Sequence, residues 1–308
     1  MIFLLSLFIH FSQISFAAVS TASINGLLDA EIMATEKKIK AKPLPTYYFR
    51  LLTLYSEKCK NMKDTENEQY LKNVEKGDNQ GKDNFFSFSS SLAKKADDFG
   101  FLMIKLFPNY QKLGEVYYMM GTNDRDYGKG VNTEDYFLKA LSSTLPNSDM
   151  IFEVKTALAD YYYNEKKYQK AITLYEEILK NKSNVWWTKY AYNYAWCLLK
   201  VEQNAKALST LLNVYEISKN SKSVNMSRDI LGSISLFFYY AKQLPESLIF
   251  FKKETSEPFT YGLKMAHLLS KKGHLKEAKE SFTSITHLAT NDNDKFSVLL
   301  GLLNLHHE

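Results

Sequence analysis

Apolar residues along this chain recur at intervals of three and four, not two. Tyr48, Leu51, Leu52, Tyr55, Cys59 and Met62 form one such stripe, and no stretch alternates cleanly enough to propose a sheet. Glycine and proline, 12 and 6 among 308 residues, fall mostly between the periodic segments, where they break helices. The pattern predicts an all-α chain. In its first third it places helices over 23–40 and 46–75, separated by "KPLP", then a polar loop "EKGDNQGKDN", then a helix over 89–106 that stops before Pro108. No repeat is visible in that third.

From residue 109 onward the pattern becomes tandem. "LADYYYNEKKYQKAITLYEEIL" carries Leu158, Ala159 and Tyr162 on one helix, a short turn, then Tyr168, Ala171, Tyr175 and Ile178 on the next. Tyr194, Ala195 and Leu198 followed by Ala207, Leu211 and Val214 repeat it, as do Ile234, Ser235 and Phe238 with Leu244, Ser247 and Phe251. A fourth copy has Met265, Ala266 and Leu269 with Leu275, Ala278, Phe282 and Ile285. The small residues of the second helices stand at 171, 207, 247 and 278, in steps of 36, 40 and 31. A small side chain is needed there because two helices cross at close range, and aromatic rings fill the space on either side. A partial copy lies upstream, with Leu113, Gly114 and Tyr117, then Phe137 and Ala140, interrupted by the loop "GTNDRDYGKGVN" at 121–132.

These units resemble the tetratricopeptide repeat, a helix–turn–helix element of nominally 34 residues with L-G-x-x-Y followed by A-x-x-x-F. The first-helix tryptophan of that pattern is replaced by Lys155 and Ala191, and its terminal proline is mostly missing. The resemblance covers 109–308 and implies a right-handed all-α superhelix preceded by an irregular helical N-terminal region. The expected organisation is a signal peptide at 1–17, an N-terminal helical region at 18–107 and repeats at 108–308.

The N-terminus "MIFLLSLFIHFSQISFAAVS" bears on compartment. Ile2–Ile9 is long enough for a secretory apolar core, and Ser15, Phe16 and Ala17 put small residues at the positions a signal peptidase reads. Export to the periplasm, with cleavage after Ala17, is the expectation. An uncleaved membrane anchor is the alternative, although no Lys or Arg precedes the run and His10, Ser12 and Gln13 interrupt it. Two cysteines, Cys59 and Cys197, sit 138 residues apart on apolar helix faces and read as buried thiols. "YNYAWCLLK" and "YYFRLLTLYSEKC", taken with the export signal, resemble segments of envelope repeat proteins from gliding or predatory bacteria.

Charge and motifs narrow the chemistry. Thirty-nine basic and 34 acidic residues give a net +5, spread along the chain with no basic run longer than two, which argues against a nucleic-acid partner. In "GTNDRDYGKG", Gly128 and Lys129 are followed by Gly130 where a phosphate loop needs Ser or Thr. A calcium loop starting at Asp124 would put Lys129 where glycine is required, leaving only Asp124 and Asp126 as a bare cation pair. No H-E-x-x-H, C-x-x-C or G-x-S-x-G occurs. Neither catalytic residues, nor a metal, nor a cofactor are expected, since repeat arrays bury their core between neighbours and leave mainly a binding surface.

In the family this chain resembles, first helices line the concave groove. Carried over, that gives three tiers: Thr156, Tyr192, Gly232 and Leu263; then Asp160, Trp196, Leu236 and His267; then Tyr163, Leu199, Tyr239 and Ser270. The carboxylate-clamping Lys, Arg and Asn of some members are missing from these positions. The partner-binding residues expected from this register are Asp160, Tyr163, Tyr192, Trp196, Leu199, Leu236, Tyr239 and His267, with the aromatics as anchors. Packing of Tyr192 and Trp196 against a neighbouring helix is the bland alternative. The last segment, "DKFSVLLGLLNLHHE", looks like the first helix of another repeat with Leu300-Gly301 in the paired place. Its wide apolar arc predicts self-association or continuation of the array through 295–307. The function expected is a non-enzymatic exported adaptor, membrane-associated or free in the envelope, that holds a protein or peptide partner. The alternative is the helical scaffold of a glycan-cleaving or glycan-binding cell-wall protein.

Overall fold

A computed structural model describes residues 21–76, 86–128, 130–145, 148–220 and 224–305. The expected cleavage point at Ala17 and most of the "EKGDNQGKDN" loop lie outside these residues. Among them the chain is all-α, with fourteen α-helices, one 3-10 turn and no strand. It divides into two compact units, 1–145 and 146–308.

In the first unit, α1 (Thr21–Ala41), α2 (Pro45–Glu75), α3 (Ser87–Leu106), α4 (Leu113–Tyr127) and α5 (Thr133–Ser143) pack in sequence. Pro45 opens α2, where the missing N–H is one the helix would leave unbonded anyway. Helix α2 lies between α1 and α3, so its apolar arc is wide: Leu51, Leu52, Leu54, Tyr55 and Cys59 are all buried. Leu92, Ala96 and Met103 of α3 and Val116 and Met120 of α4 complete the core. No side chain of α3 caps its own N-terminus. The buried carboxylate of Glu66, reaching over from α2, accepts from the Phe88 and Ser89 amides at 3.1 and 3.3 Å and takes that role.

The upstream partial repeat is the α4–α5 hairpin. A Cβ on Gly114 would stand 2.1 Å from Thr144 Oγ1, so only glycine admits this crossing. The expected loop at 121–132 requires correction. Residues 121–127 continue α4, and of the described residues there only 128 and 130–132 leave the helix. The polar side chains that suggested a loop are engaged. Asn123 is buried and donates to Asp97 at 2.9 Å and Ser56 at 3.4 Å. The Asp124 carboxylate accepts from the Asn132 amide and the Thr133 hydroxyl at 2.9 and 2.8 Å, capping α5. These bonds tie α4 and α5 to the preceding helices, so the compact division falls after Leu145, later than the expected border at 107/108.

The second unit holds four hairpins and a last helix. They are α6 (Asp149–Asn164) with α7 (Tyr168–Ile178), α8 (Trp187–Lys200) with α9 (Asn204–Asn220), α10 (Ser227–Tyr240) with α11 (Leu244–Glu254), and α12 (Pro258–Lys271) with α13 (Leu275–Ile285). A 3-10 turn, Thr286–Leu288, leads to α14 (Asp292–Asn304). Ala171, Ala207, Ser247 and Ala278 are buried at the helix crossings, as the repeat pattern requires. Each hairpin turn is three residues long, and its middle residue has positive φ: Lys166 at 59°, Glu202 at 64°, Lys242 at 57° and Gly273 at 77°. Each is followed by the same closure, in which the next amide reaches back five residues: Lys167 to Tyr162, Gln203 to Leu198, Gln243 to Phe238 and His274 to Leu269, at 2.8–3.0 Å. This is the left-handed helix cap with its orphan carbonyls satisfied. The turns fall at 166, 202, 242 and 273, always five residues before the small residue of the second helix.

Both thiols are free and buried. That of Cys59 donates to the Ser89 carbonyl at 3.0 Å, and burial pushes each up to about 12. Among the described residues no helix is long and apolar enough to cross a membrane.

Candidate functional site

The first helices of the second unit bring four of the eight expected site residues together. The register that places them is set by the buried small residues Ala159, Ala195 and Ser235, which hold each first helix against its partner and so fix which residues one turn away face outward. Asp160, on α6, accepts from the Tyr175 hydroxyl of α7 at 2.7 Å and from the Asn193 amide of α8 at 3.4 Å. Three helices therefore converge on one carboxylate. Among the described residues no lysine or arginine pairs with it.

Tyr163 lies one turn further along α6, half-buried, its ring edge-on to Tyr168 at 6.2 Å. Burial above all pushes its hydroxyl up to about 12, with smaller contributions from Cys197, Tyr192, Tyr168 and Asp160. That set of neighbours places Tyr163 and Tyr192 on one side of the unit. Tyr192 and Trp196 of α8 meet edge-on at 6.3 Å. The Tyr192 hydroxyl lies 3.3 Å from Ser233 Oγ, and Trp196 packs edge-on against Phe237 at 4.9 Å, both on α10. Packing against the neighbouring helix is thus real for both, yet neither is fully buried. The result is a strip of three aromatic rings on α6 and α8, beside an acceptor that no described Lys or Arg pairs with.

The other expected residues are distributed differently. Leu199 is 7% exposed and belongs to the core, because α8 buries Cys197, Leu198 and Leu199 consecutively between its neighbours; its expected groove role is corrected accordingly. Leu236 is half-buried on α10. Tyr239 pairs with His274 at 2.7 Å, at the turn into α13. His267 is exposed and meets Phe282 of α13 edge-on at 5.1 Å, away from the aromatic strip. Two contributors escaped the sequence pattern. Tyr175 reads as pure core, and it is fully buried, but its hydroxyl holds Asp160. Asn193 carries no periodic signal at all. Its only cue is that it stands one position from Tyr192 on a helix already assigned to the site.

No family model matches the chain, and neither does any curated protein. Among solved structures, the apo form of RapI has a TM-score of 0.47 at 10% identity, covering 93% of this chain and 97% of that one. A Rap protein complexed with competence and sporulation factor gives 0.37 at 12% identity, covering 90% and 87%. Yeast Tom70 gives 0.37 at 15% identity, covering 93% of this chain, which spans 60% of the Tom70 chain.

Proposed function

We propose that the chain is a non-enzymatic interaction scaffold that holds a segment of a partner protein against α6, α8 and α10. The observation that carries this reading is the strip of Tyr163, Tyr192 and Trp196 beside the Asp160 carboxylate. Partly buried aromatic rings fixed by their neighbours lose little conformational entropy on binding, which is why such residues dominate interface energies. Asp160 adds an oriented acceptor, preset by Tyr175 and Asn193, for a donor or cationic group on the partner. The N-terminal apolar run and the "SFA" tripeptide support a bacterial envelope setting for this activity.

The test is recovery of a partner from an envelope fraction by the wild-type chain and by Tyr192→Ala with Trp196→Ala. Loss of two anchors worth about 2 kcal/mol each predicts near-complete loss of the captured species, with an unchanged circular dichroism spectrum. Equal recovery by the double variant refutes the aromatic strip as the binding element.

A further inference from the structure

The third hairpin is built more loosely than the others. Helices α10 and α11 pack less closely than the partners in any neighbouring hairpin. Rings crowd between them: Phe238 meets Phe250 at 5.7 Å and Phe251 at 6.4 Å. A cavity of about 420 Å³ lies between α11, α12 and α13. Its size lies within the range of small-molecule sites. An α-helix with its side chains is about 10 Å across and does not fit inside.

The lining is two-sided. One side is apolar, with Leu244, Pro245 and Leu248 of α11 at its surface and the buried Phe251 of α11, Met265 of α12 and Ile285 of α13 directly behind. The other comes from one face of α13, where Glu277, Glu280, Ser281 and Ser284 recur at three and four and so point the same way. Lys276 and Lys279 alternate with the two carboxylates in sequence but do not line the cavity. Among the described residues neither glutamate forms an ion pair or hydrogen bond. The wall is therefore acidic within a chain whose net charge is +5, so the charge is local and not a share of an overall field.

We propose that this cavity is a second binding site, independent of the aromatic strip, for a small amphipathic cation: an apolar body against Leu244, Pro245 and Leu248, and one ammonium or guanidinium head between Glu277 and Glu280. Burial of the body supplies attraction, and the carboxylates set the orientation and reject anions of the same shape.

The probe is n-hexyltrimethylammonium, compared with n-hexanoate and n-hexanol, added to the chain with ¹³C-labelled Met and Ile methyl groups. The cation is expected to shift the Met265 and Ile285 methyl resonances saturably, with Kd on the order of 1 mM for a ligand this small. Hexanoate at the same concentration should leave them unshifted. Glu277→Gln with Glu280→Gln should weaken cation binding roughly five- to tenfold, as expected for two partly exposed pairs, while leaving hexanol binding and the melting curve unchanged. Ser281→Phe, which fills the cavity, should abolish the shifts. Hexanoate binding as tightly as the cation overturns the proposal, as do undiminished affinity in the double glutamine variant and the lack of any saturable shift at Met265 and Ile285.

Discussion

Asp97 offers a direct test of the first unit. It is half-buried on α3, accepts from Asn123 at 2.9 Å and lies near the like charges of Asp124 and Asp98. Burial is the main reason that its carboxyl is raised from 3.8 to about 6, with Asn123 pulling the other way. Below about pH 4 both folded and unfolded chains hold the proton, and the group costs nothing. As pH rises the unfolded chain releases its proton first, so stability falls until the folded carboxyl ionises near 6; above that the penalty is constant. The difference between 3.8 and about 6 corresponds to roughly 3 kcal/mol, and solvent screening at a half-exposed site reduces it to about 1–2 kcal/mol. Asp97→Asn keeps the acceptor for Asn123 and removes the charge. Urea unfolding at pH 7.5 should show the variant about 1–2 kcal/mol more stable than the wild type. At pH 4 that advantage should vanish. An advantage of the same size at both values, or a loss at pH 7.5, refutes the assignment of the penalty to the ionised carboxylate.

Two further predictions concern the second unit. Tyr175→Phe keeps the buried ring but removes the bond to Asp160, leaving the 3.4 Å contact with Asn193 as its support. The cost should be about 1–3 kcal/mol in urea unfolding. In a double-mutant cycle with Asp160→Ala, a coupling below about 0.5 kcal/mol would mean the bond does not position the carboxylate. On α14, a Cβ at Gly301 would stand 2.3 Å from the buried ring of Phe282. Gly301→Leu should therefore detach this helix locally, raising amide exchange over 298–304 about tenfold or more without altering that of α8. Unchanged exchange in α14 would show that close approach is not what docks it.

Much of the fold could be read from periodicity because these helices bury one face each. The expected 46–75 and 89–106 match α2 and α3 to within two residues. What misled was local composition. The Gly, Asn and Asp residues at 121–126 carry turn propensity, but Asn123 and Asp124 spend their polar groups on tertiary bonds and let α4 run on. In the site, repeat register was enough to bring Asp160, Tyr163, Tyr192 and Trp196 to one surface. It could not show that Leu199 is buried, since a helix held between two neighbours has a wider buried arc than a two-helix picture allows. Nor could it show the Tyr175 bond, which depends on how closely α6 and α7 come together. The terminal helix was legible as under-buried: Phe296 and Leu299 are 64% and 65% exposed, while Val298 and Gly301 dock against the unit. The cavity beside α11 had no signature, because Ser247 marks a crossing in sequence and is buried at one, while the wider spacing of α10 and α11 depends on how Phe238, Phe250 and Phe251 pack between them.

The four hairpin turns have a consequence for how this chain tolerates change. Three of them hold Lys or Glu in a backbone region that suits glycine, so side-chain identity does not dictate their shape; the packing of the two helices does. The distance from turn to crossing is constant, whereas the repeats themselves advance by 36, 40 and 31 residues. The length variation therefore lies beyond the crossing, in the second helix, which is 17 residues in α9 against 11 in α7 and α11, and in the segment that leads to the next first helix. Insertions and deletions there leave each turn and crossing intact and alter the spacing at which successive pairs follow one another. The turn and crossing are the fixed gauge of the array, and the far end of the second helix with its linker is where its reach can be adjusted.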